Sequence, residues 1–535
     1  MAPAGHALAA LPPMDDLPPP PGAGGKRLDF NQGEPTVPVR LMENTREVVF
    51  RPRGEMRLTT QGPIQKTLEA PAGSRWRVRL LSGKPAVMRV FVSLAQVRFA
   101  DKAGLEAQRT LWAGRGLKVR AHVLGSLYGI AGKVIDNRRY QVLLDEPLDE
   151  AGAAERQAQL LRKFGAHTTR FEEVAQPSTG VMELLDEAGH SVALAEGRIS
   201  AVSLGGEGFD ISQVEYAVGY PSHGFEDRSY RGALELVMDR GGKIAVVNQV
   251  SLEDLLKGLV PSEIFARAPM EALKAQAVTA RGEVLAKIGL QHLADPYLLC
   301  SEQHCAVYRG KSGEAASTSR AVEATRGEAL FAQDGHLVDS VYSAICGGHT
   351  EDNENVWGGV PDPNLRGRPD LLGHAEISPS PDLAAYLDAK LPSACHLSTF
   401  TNESRYRWTK RFSAEELNRL TASLGIGEVQ AIGVLERGVS GRAIRLAVSG
   451  LLGATEIRGE LNIRKRFGML NSSMFVVSAE RDARGRPTAW VFRGGGWGHG
   501  VGMCQVGAIG RAEAGQTYRD ILRFYFSGAE VSRIY

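Results

Sequence analysis

The side chain best suited to moving a proton is Glu263, in the run Val260-Pro-Ser-Glu263. A Pro-Ser-Glu turn between two helices can aim a carboxylate into a cleft. As a general acid it must keep its proton near neutral pH, which requires partial burial, and Ile264 and Phe265 are the candidate apolar wall. The plain alternative is an exposed glutamate near a helix N-terminus, favoured there by the dipole. Lys274, Gln276 and Arg281 follow on the next helix, where Lys274 and Arg281, seven apart, share one face. That pair reads either as ligands near Glu263 or as a solvated basic stripe. In Cys300-Ser-Glu-Gln-His304-Cys305, two thiols and an imidazole lie within six residues, with His292 shortly before. This density of sulfur and nitrogen donors suits a tetrahedral zinc. A Cys300–Cys305 disulfide, expected in an oxidising compartment, is the competing reading.

Two glycine-rich stretches carry further polar groups. In the first, Tyr342 and Ser343 lead into Cys346, Gly347, Gly348, His349 and Thr350, and Trp357 follows an acidic turn. Adjacent glycines let backbone N–H groups approach a ligand. Ser343, His349 and Thr350 can bond hydroxyls, and Trp357 can stack on a flat apolar ring face. A structural turn with Trp357 in the core is the alternative. The second stretch, residues 494–507, offers His499 and Gln505. Its "GHGVG" lacks the G-x-G-x-x-G spacing of a dinucleotide loop, the Walker lysine is absent, and so is the G-x-S-x-G elbow of serine hydrolases.

These residues belong to a chain of 535 residues, 43% hydrophobic and 23% charged, which can fill the cores of about three or four domains. A net charge of +2 gives no basic excess for nucleic acid, and 5 cysteines are too few for a disulfide scaffold. No run of about 18 apolar residues predicts a membrane-spanning helix. Residues 1–36 read as a Pro/Gly/Ala-rich extended tail with no visible signal peptide, either a true tail or the remnant of a late start downstream of an export signal.

Alternating and helical periodicities assign strands to residues 76–81, 91–96, 118–124, 140–144 and 168–174, and helices to 105–116 and 151–164. Residues 91–174 thus follow the β-α-β-β-α-β order of a small ferredoxin-like module. With phrases such as "GAHTTRFEEV", the block resembles a SPOR domain, a family that binds peptidoglycan glycan strands lacking stem peptides. A hairpin over 230–248 leads into a helix capped by Ser251, expected to stop near Pro261, and an Ala-rich helix beginning at Pro269 should be central. Residues 400–424 contain a helix behind a Ser413/Glu416 capping box. Residues 429–448 are two strands, and the basic helix 459–468 and the last helix, 517–526, are scaffold.

The segment "SLEDLLKGLVPSEIFARAPMEALKAQAVTARGEVLA" resembles the signature of the SpoIID/LytB family, whose type member is stage II sporulation protein D. "RAVEATRGEALF", "VYSAICGGHTEDNENVWGG" and "GGGWGHGVGMCQVGAIGRAEAGQTYRDILRFYF" agree with it, in the family's order, over residues 230–535. The resemblance implies a lytic transglycosylase of peptidoglycan, with Glu263 as the catalytic acid, or a non-catalytic wall-binding activator of another hydrolase such as an amidase. One carboxyl suffices for the former: it protonates the leaving oxygen, then takes the proton of the sugar's own C6 hydroxyl as a 1,6-anhydro ring closes. It further implies substrate-binding or organising roles for Lys274, Gln276 and Arg281. The glycine motifs would line the cleft with Tyr342, Ser343, Gly347, Gly348, His349, Thr350, Trp357, His499 and Gln505.

Some relatives carry zinc where His292, Cys300, His304 and Cys305 stand, so the ion here would be structural and not required for catalysis. Relatives often have serine at 346 and 504, so two cysteines imply a touching pair, free or bridged, with Cys395 left over, free and partly buried. The expected fold class is α+β: a SpoIID-like domain with the Ala-rich helix packed on short antiparallel strands, plus the inserted SPOR-like module. The expected segments are 1–36 (tail), 37–73 (β-rich), 74–176 (SPOR-like), 177–229 (β-rich), 230–390 (catalytic), 391–470 (accessory) and 471–535 (completing the cleft). The expected partners are glycan strands and a wall amidase, not nucleic acid, in the extracytoplasmic cell envelope.

Overall fold

The computed structural model describes residues 28–31, 33–130, 133–166, 168–218, 223–302, 304–373, 379, 382–389 and 391–535. Most of the expected tail, with its proline run, lies outside them. The end of the tail is not extended linker: Asp29–Asn31 and Glu34–Thr45 are paired strands. No helix among the described residues is long and apolar enough to cross a membrane. Helices and strands are mixed throughout, compatible with the α+β class.

The chain forms two compact units. The smaller comprises residues 28, 89–125 and 138–173 among those described. Its strands Val87–Arg98, Val119–Leu124, Arg139–Leu144 and Thr169–Gln176 and its helices α1 (Lys102–Gly114) and α2 (Glu150–Phe164) run β-α-β-β-α-β. The sheet places the fourth strand beside the first, then the third, then the second. Asp101 and Asp149 cap the two helices, and Gly165 stops α2 in the left-handed conformation, where a Cβ would be disfavoured. Val92, Leu94, Trp112, Val142 and Leu160 fill its core.

The larger unit takes the remainder, including the strand expected at the start of the inserted module. Trp76–Lys84 pairs with Glu47–Pro52 and Thr179–Leu185 in a six-stranded sheet. A second sheet joins Glu34–Thr45, Ile244–Ser251, Ala233–Met238, Arg198–Ser203 and Met56–Thr60. The strands before residue 73 therefore share sheets with those beyond 177, a long-range pairing that local alternation cannot reveal. Leu299–Cys300 adds to this sheet in parallel, beside Val39 and Arg40.

Ser251 caps α3 (Leu252–Glu263), as expected, but the helix does not stop at Pro261. Proline lacks an N–H and normally breaks a helix interior. Here it lies in the last turn, and Ile264 N–H closes the helix on Val260 O. Glu263 is thus the final helical residue instead of part of a turn. After a short excursion, α4 (Met270–Lys287) runs with almost every side chain buried, and its alanines admit close neighbours on all sides. It packs against α3, α5 (Ala316–Ala324), α6 (Gln505–Glu513) and α7 (Tyr518–Tyr525). Two three-stranded sheets, Arg407–Ser413/Pro487–Gly495/Phe475–Arg481 and Val429–Arg437/Ala443–Gly450/Gly453–Arg458, close over a shared core with Leu417, Phe467 and Phe492.

Candidate functional site

Glu263 is half-buried at the C-terminal end of α3, and Ile264 beside it is 5% exposed. Phe265 does not complete the wall: it is 48% exposed and its ring meets that of Phe400. Burial pushes the Glu263 carboxyl up to about 7, and the charge of Glu283 adds to the push. The Val307 backbone N–H bonds the carboxylate and Lys287 attracts it, both partly opposing the shift. Glu283 is ion-paired with Lys287 at 2.6 Å and hydrogen-bonded to Tyr342, yet burial still raises its own carboxyl. The fold therefore binds a proton at Glu263 that the unfolded chain releases near 4.5. This contribution to stability is present below that value and is lost as pH rises through about 7.

The second glycine stretch reaches the backbone of Glu263. Tyr342–Ser343 pairs in parallel with Met503–Cys504, so the two motifs form one ladder. Gln505, the first residue of α6, donates to the backbone carbonyl of Glu263 at 2.8 Å and to Gln276 Oε1 at 3.1 Å. His499 receives the Val501 N–H on Nδ1 and lies 5.0 Å from the ring of Trp357. Burial, reinforced by Arg442, lowers His499 to about 3, so it is a neutral imidazole. Trp357 is 54% exposed, which favours the stacking role over the core. Ser343 is buried, and its hydroxyl has no partner among the described residues.

Other expected ligands lie elsewhere. Arg281 is fully buried on the far side of α4, with Nε and Nη2 bonded to Glu253 at 2.8 and 2.7 Å and Nη1 bonded to the Glu328 carbonyl. Lys274 pairs with Glu271 at 2.7 Å and sits over the Tyr518 ring. The shared face was read correctly, but it is not the face of Gln276 and Glu283. Gly347 and Gly348 approach protein, not open space: a Cβ at Gly347 would meet Gly495 backbone at 2.9 Å, and at Gly348 the Tyr386 hydroxyl at 2.7 Å. His349 is buried, its Nδ1 bonded to the Thr350 carbonyl, and Thr350 is tied to the Arg368 backbone. These four hold the scaffold. Sequence reasoning missed Glu283 and Lys287. Their signal was present, since Glu283 follows Gln276 by seven residues and precedes Lys287 by four, one helical face.

The donor atoms of His292, Cys300, His304 and Cys305 lie within 4.8 Å of one another. Cys300 and Cys305 are free thiols, not a disulfide. His292 Nε2 is 3.1 Å from Cys305 Sγ, and His304 Nδ1 is 3.5 Å from the same sulfur. His292 Nδ1 is held by Asp295 at 2.9 Å, the outer carboxylate that typically orients a ligating imidazole. His292 also adopts φ 52°, a conformation uncommon outside glycine. Two imidazoles and two thiols so arranged fit a tetrahedral zinc. The cluster borders Glu263, since Lys287 Nζ bonds the Cys305 carbonyl at 3.3 Å and Val307 follows in the same loop.

The remaining cysteines follow expectation in part. Cys346 and Cys504 touch, as expected, through the Cys346 N–H and Cys504 Sγ at 3.1 Å, and both are free. Cys395 is free, as expected, but fully instead of partly buried, and it does not stand apart: its sulfur lies 3.6 Å from that of Cys346.

The family model described as "Stage II sporulation protein" matches residues 240–331, which hold Glu263, α4 and the Cys/His cluster. One described as "Domain of unknown function (DUF8618)" matches residues 351–502. An uncharacterized protein of Brachyspira hyodysenteriae is 30% identical over 315 residues, 58% of this chain and 74% of that protein. Stage II sporulation protein D of Bacillus subtilis is 26% identical over 300 residues, covering 54% of this chain and 76% of the relative. The amidase enhancer of Bacillus subtilis is 28% identical over 296 residues, 52% of this chain but only 40% of its own length. With the four sequence motifs meeting around Glu263 and α4, the chain belongs to the SpoIID/LytB family of stage II sporulation protein D-like proteins.

Proposed function

We propose that the protein acts on the bacterial cell wall as a peptidoglycan lytic transglycosylase, cleaving the MurNAc–GlcNAc bond of peptide-stripped glycan. The observation that carries this reading is the half-buried Glu263, held to about 7 beside Glu283. A protonated Glu263 donates to the leaving glycosidic oxygen. Its carboxylate then accepts the proton of the C6 hydroxyl as that oxygen closes on the anomeric carbon. Trp357 offers a stacking face for a pyranose, and Gln276, Tyr342, Ser343, His499 and Gln505 supply polar groups around it. Near-zero net charge fits a mostly neutral sugar chain. The module around α1 and α2 fits a SPOR-like glycan anchor, and the work place is the extracytoplasmic envelope.

Digestion of denuded glycan strands in heavy-oxygen water, read by mass, tests the reaction. Transglycosylation leaves anhydro ends free of solvent oxygen. Ends that carry it would show hydrolysis by a two-carboxylate route instead. Because the acid form is required, the rate should fall as pH rises through about 7. Glu283→Gln removes the repelling charge, so this falling limb should move to lower pH. An unmoved limb would detach Glu283 from the site.

A second reading rests on similarity to the amidase enhancer. There the same cleft binds glycan without cutting it and stimulates an amidase. Stimulation that survives Glu263→Gln, with no glycan product from either form, would favour it.

We further propose that His292, Cys300, His304 and Cys305 hold a structural zinc. It would supply no chemistry to the reaction, but would fix the loop whose Val307 N–H meets Glu263. Cys305→Ser should lower zinc content by one equivalent and lower Tm in the same preparation. Unchanged metal content would overturn the assignment.

A further inference from the structure

We propose that Cys346, Asp370, Cys395 and Cys504 form a second site for one tetrahedral cation of the zinc class, in the core between the two glycine-rich motifs. All four residues are fully buried, and one donor atom of each lies within 4.8 Å of the others. Cys346 Sγ stands 3.6 Å from Cys395 Sγ and 3.3 Å from Asp370 Oδ2. A single ion with metal–sulfur bonds of about 2.3 Å and metal–oxygen bonds of about 2.1 Å places tetrahedral ligands roughly 3.5–3.8 Å apart. The Cys346–Cys395 spacing falls in that range and the Cys346–Asp370 spacing lies just below it.

The surroundings match as well. Asp370 Oδ1 is held by Arg511 Nη2 at 3.0 Å and by the Tyr525 hydroxyl at 2.7 Å, leaving Oδ2 facing the sulfurs. Outer bonds of this kind orient metal-binding carboxylates. Cys504 Sγ accepts the backbone N–H groups of Cys346 at 3.1 Å and Gly507 at 3.3 Å, and Cys395 accepts from Gly348.

The ligands come from four segments far apart in sequence, so the ion would close long loops. It would also fix the start of α6, where Cys504 caps the helix and Gln505 bonds the Glu263 carbonyl. This site stands independently of the glycan reading and of the zinc proposed at His292. The competing account is three neutral thiols packed as small apolar groups beside an Asp370–Arg511 pair.

The test is zinc content and zinc X-ray absorption on the full chain, purified with zinc present. The wild type should hold two equivalents, and Cys395→Ser should lose one while Cys305→Ser loses the other. More than two sulfurs per zinc are expected on average in the wild type, which the His292 set alone cannot supply. The absorption measurement needs no variant, so poor folding of Cys395→Ser would not shield the proposal. Two or fewer sulfurs per zinc would overturn it, as would zinc content unchanged in a folded Cys395→Ser. So would a denatured, unreduced chain with fewer than five titratable thiols through a bridge among Cys346, Cys395 and Cys504.

Discussion

Glu263→Gln should lower the release of anhydro-ended fragments by about 10²–10⁴-fold, the usual worth of a positioned acid–base group. The amide keeps the shape of the side chain but can neither donate the proton nor recover it, so both halves of the reaction suffer. The fold should not suffer. Wild-type Glu263 is held in surroundings that disfavour its charge, through burial first and Glu283 second. Above about pH 7, where the carboxyl must ionise, the neutral variant should therefore melt at or above the wild-type temperature. Activity loss with retained or raised Tm is the expected signature, read by product mass and calorimetry together. Full activity in the variant would remove Glu263 from the chemistry.

Arg281→Ala is expected to act in the opposite way, costing about 3–5 kcal/mol of stability, because it strands a buried carboxylate. Glu253 is 3% exposed. Burial alone would raise its carboxyl, but Arg281, with help from Tyr535 and the Gly327 N–H, holds it below the usual range. Without the guanidinium, Glu253 must either stay charged in the core or take up a proton. The loss should show as a lower denaturation midpoint, and it should shrink when Glu253→Gln is added, since the second change removes the stranded charge. A sugar-binding arginine would behave differently, raising KM with an unmoved midpoint, and that result would return Arg281 to the site.

These two residues mark how much of the site could be read without coordinates. Glu263 stands out in the sequence because a short motif and a family signature both point at one carboxyl. Arg281 shares a helical face with Lys274, but a helix has several buried faces when almost every position is small or apolar, and periodicity cannot say which neighbour each face meets. Glu283 and Lys287 were not singled out, because a glutamate and a lysine four residues apart on a helix form an ordinary pair. Only the packing of α4 beside Tyr342 and the end of α3 turned that pair toward Glu263. Gly347 and Gly348 read as openings for a ligand, whereas their missing Cβ atoms make room for Gly495 and Tyr386.

By itself the sequence determined the local order. It specified the capped helices, the β-α-β-β-α-β run, the hairpin before Ser251, the density of ligands from His292 to Cys305, and the family to which the motifs belong. Each of these depends on residues close together in the chain, where caps, turns and periodicity act. The tertiary structure decided the rest: which strands share a sheet across more than a hundred residues, which carboxylate raises Glu263, and that Cys395 and Asp370 join Cys346 and Cys504. Those outcomes depend on burial and on distances between remote segments, which no local pattern of side chains encodes.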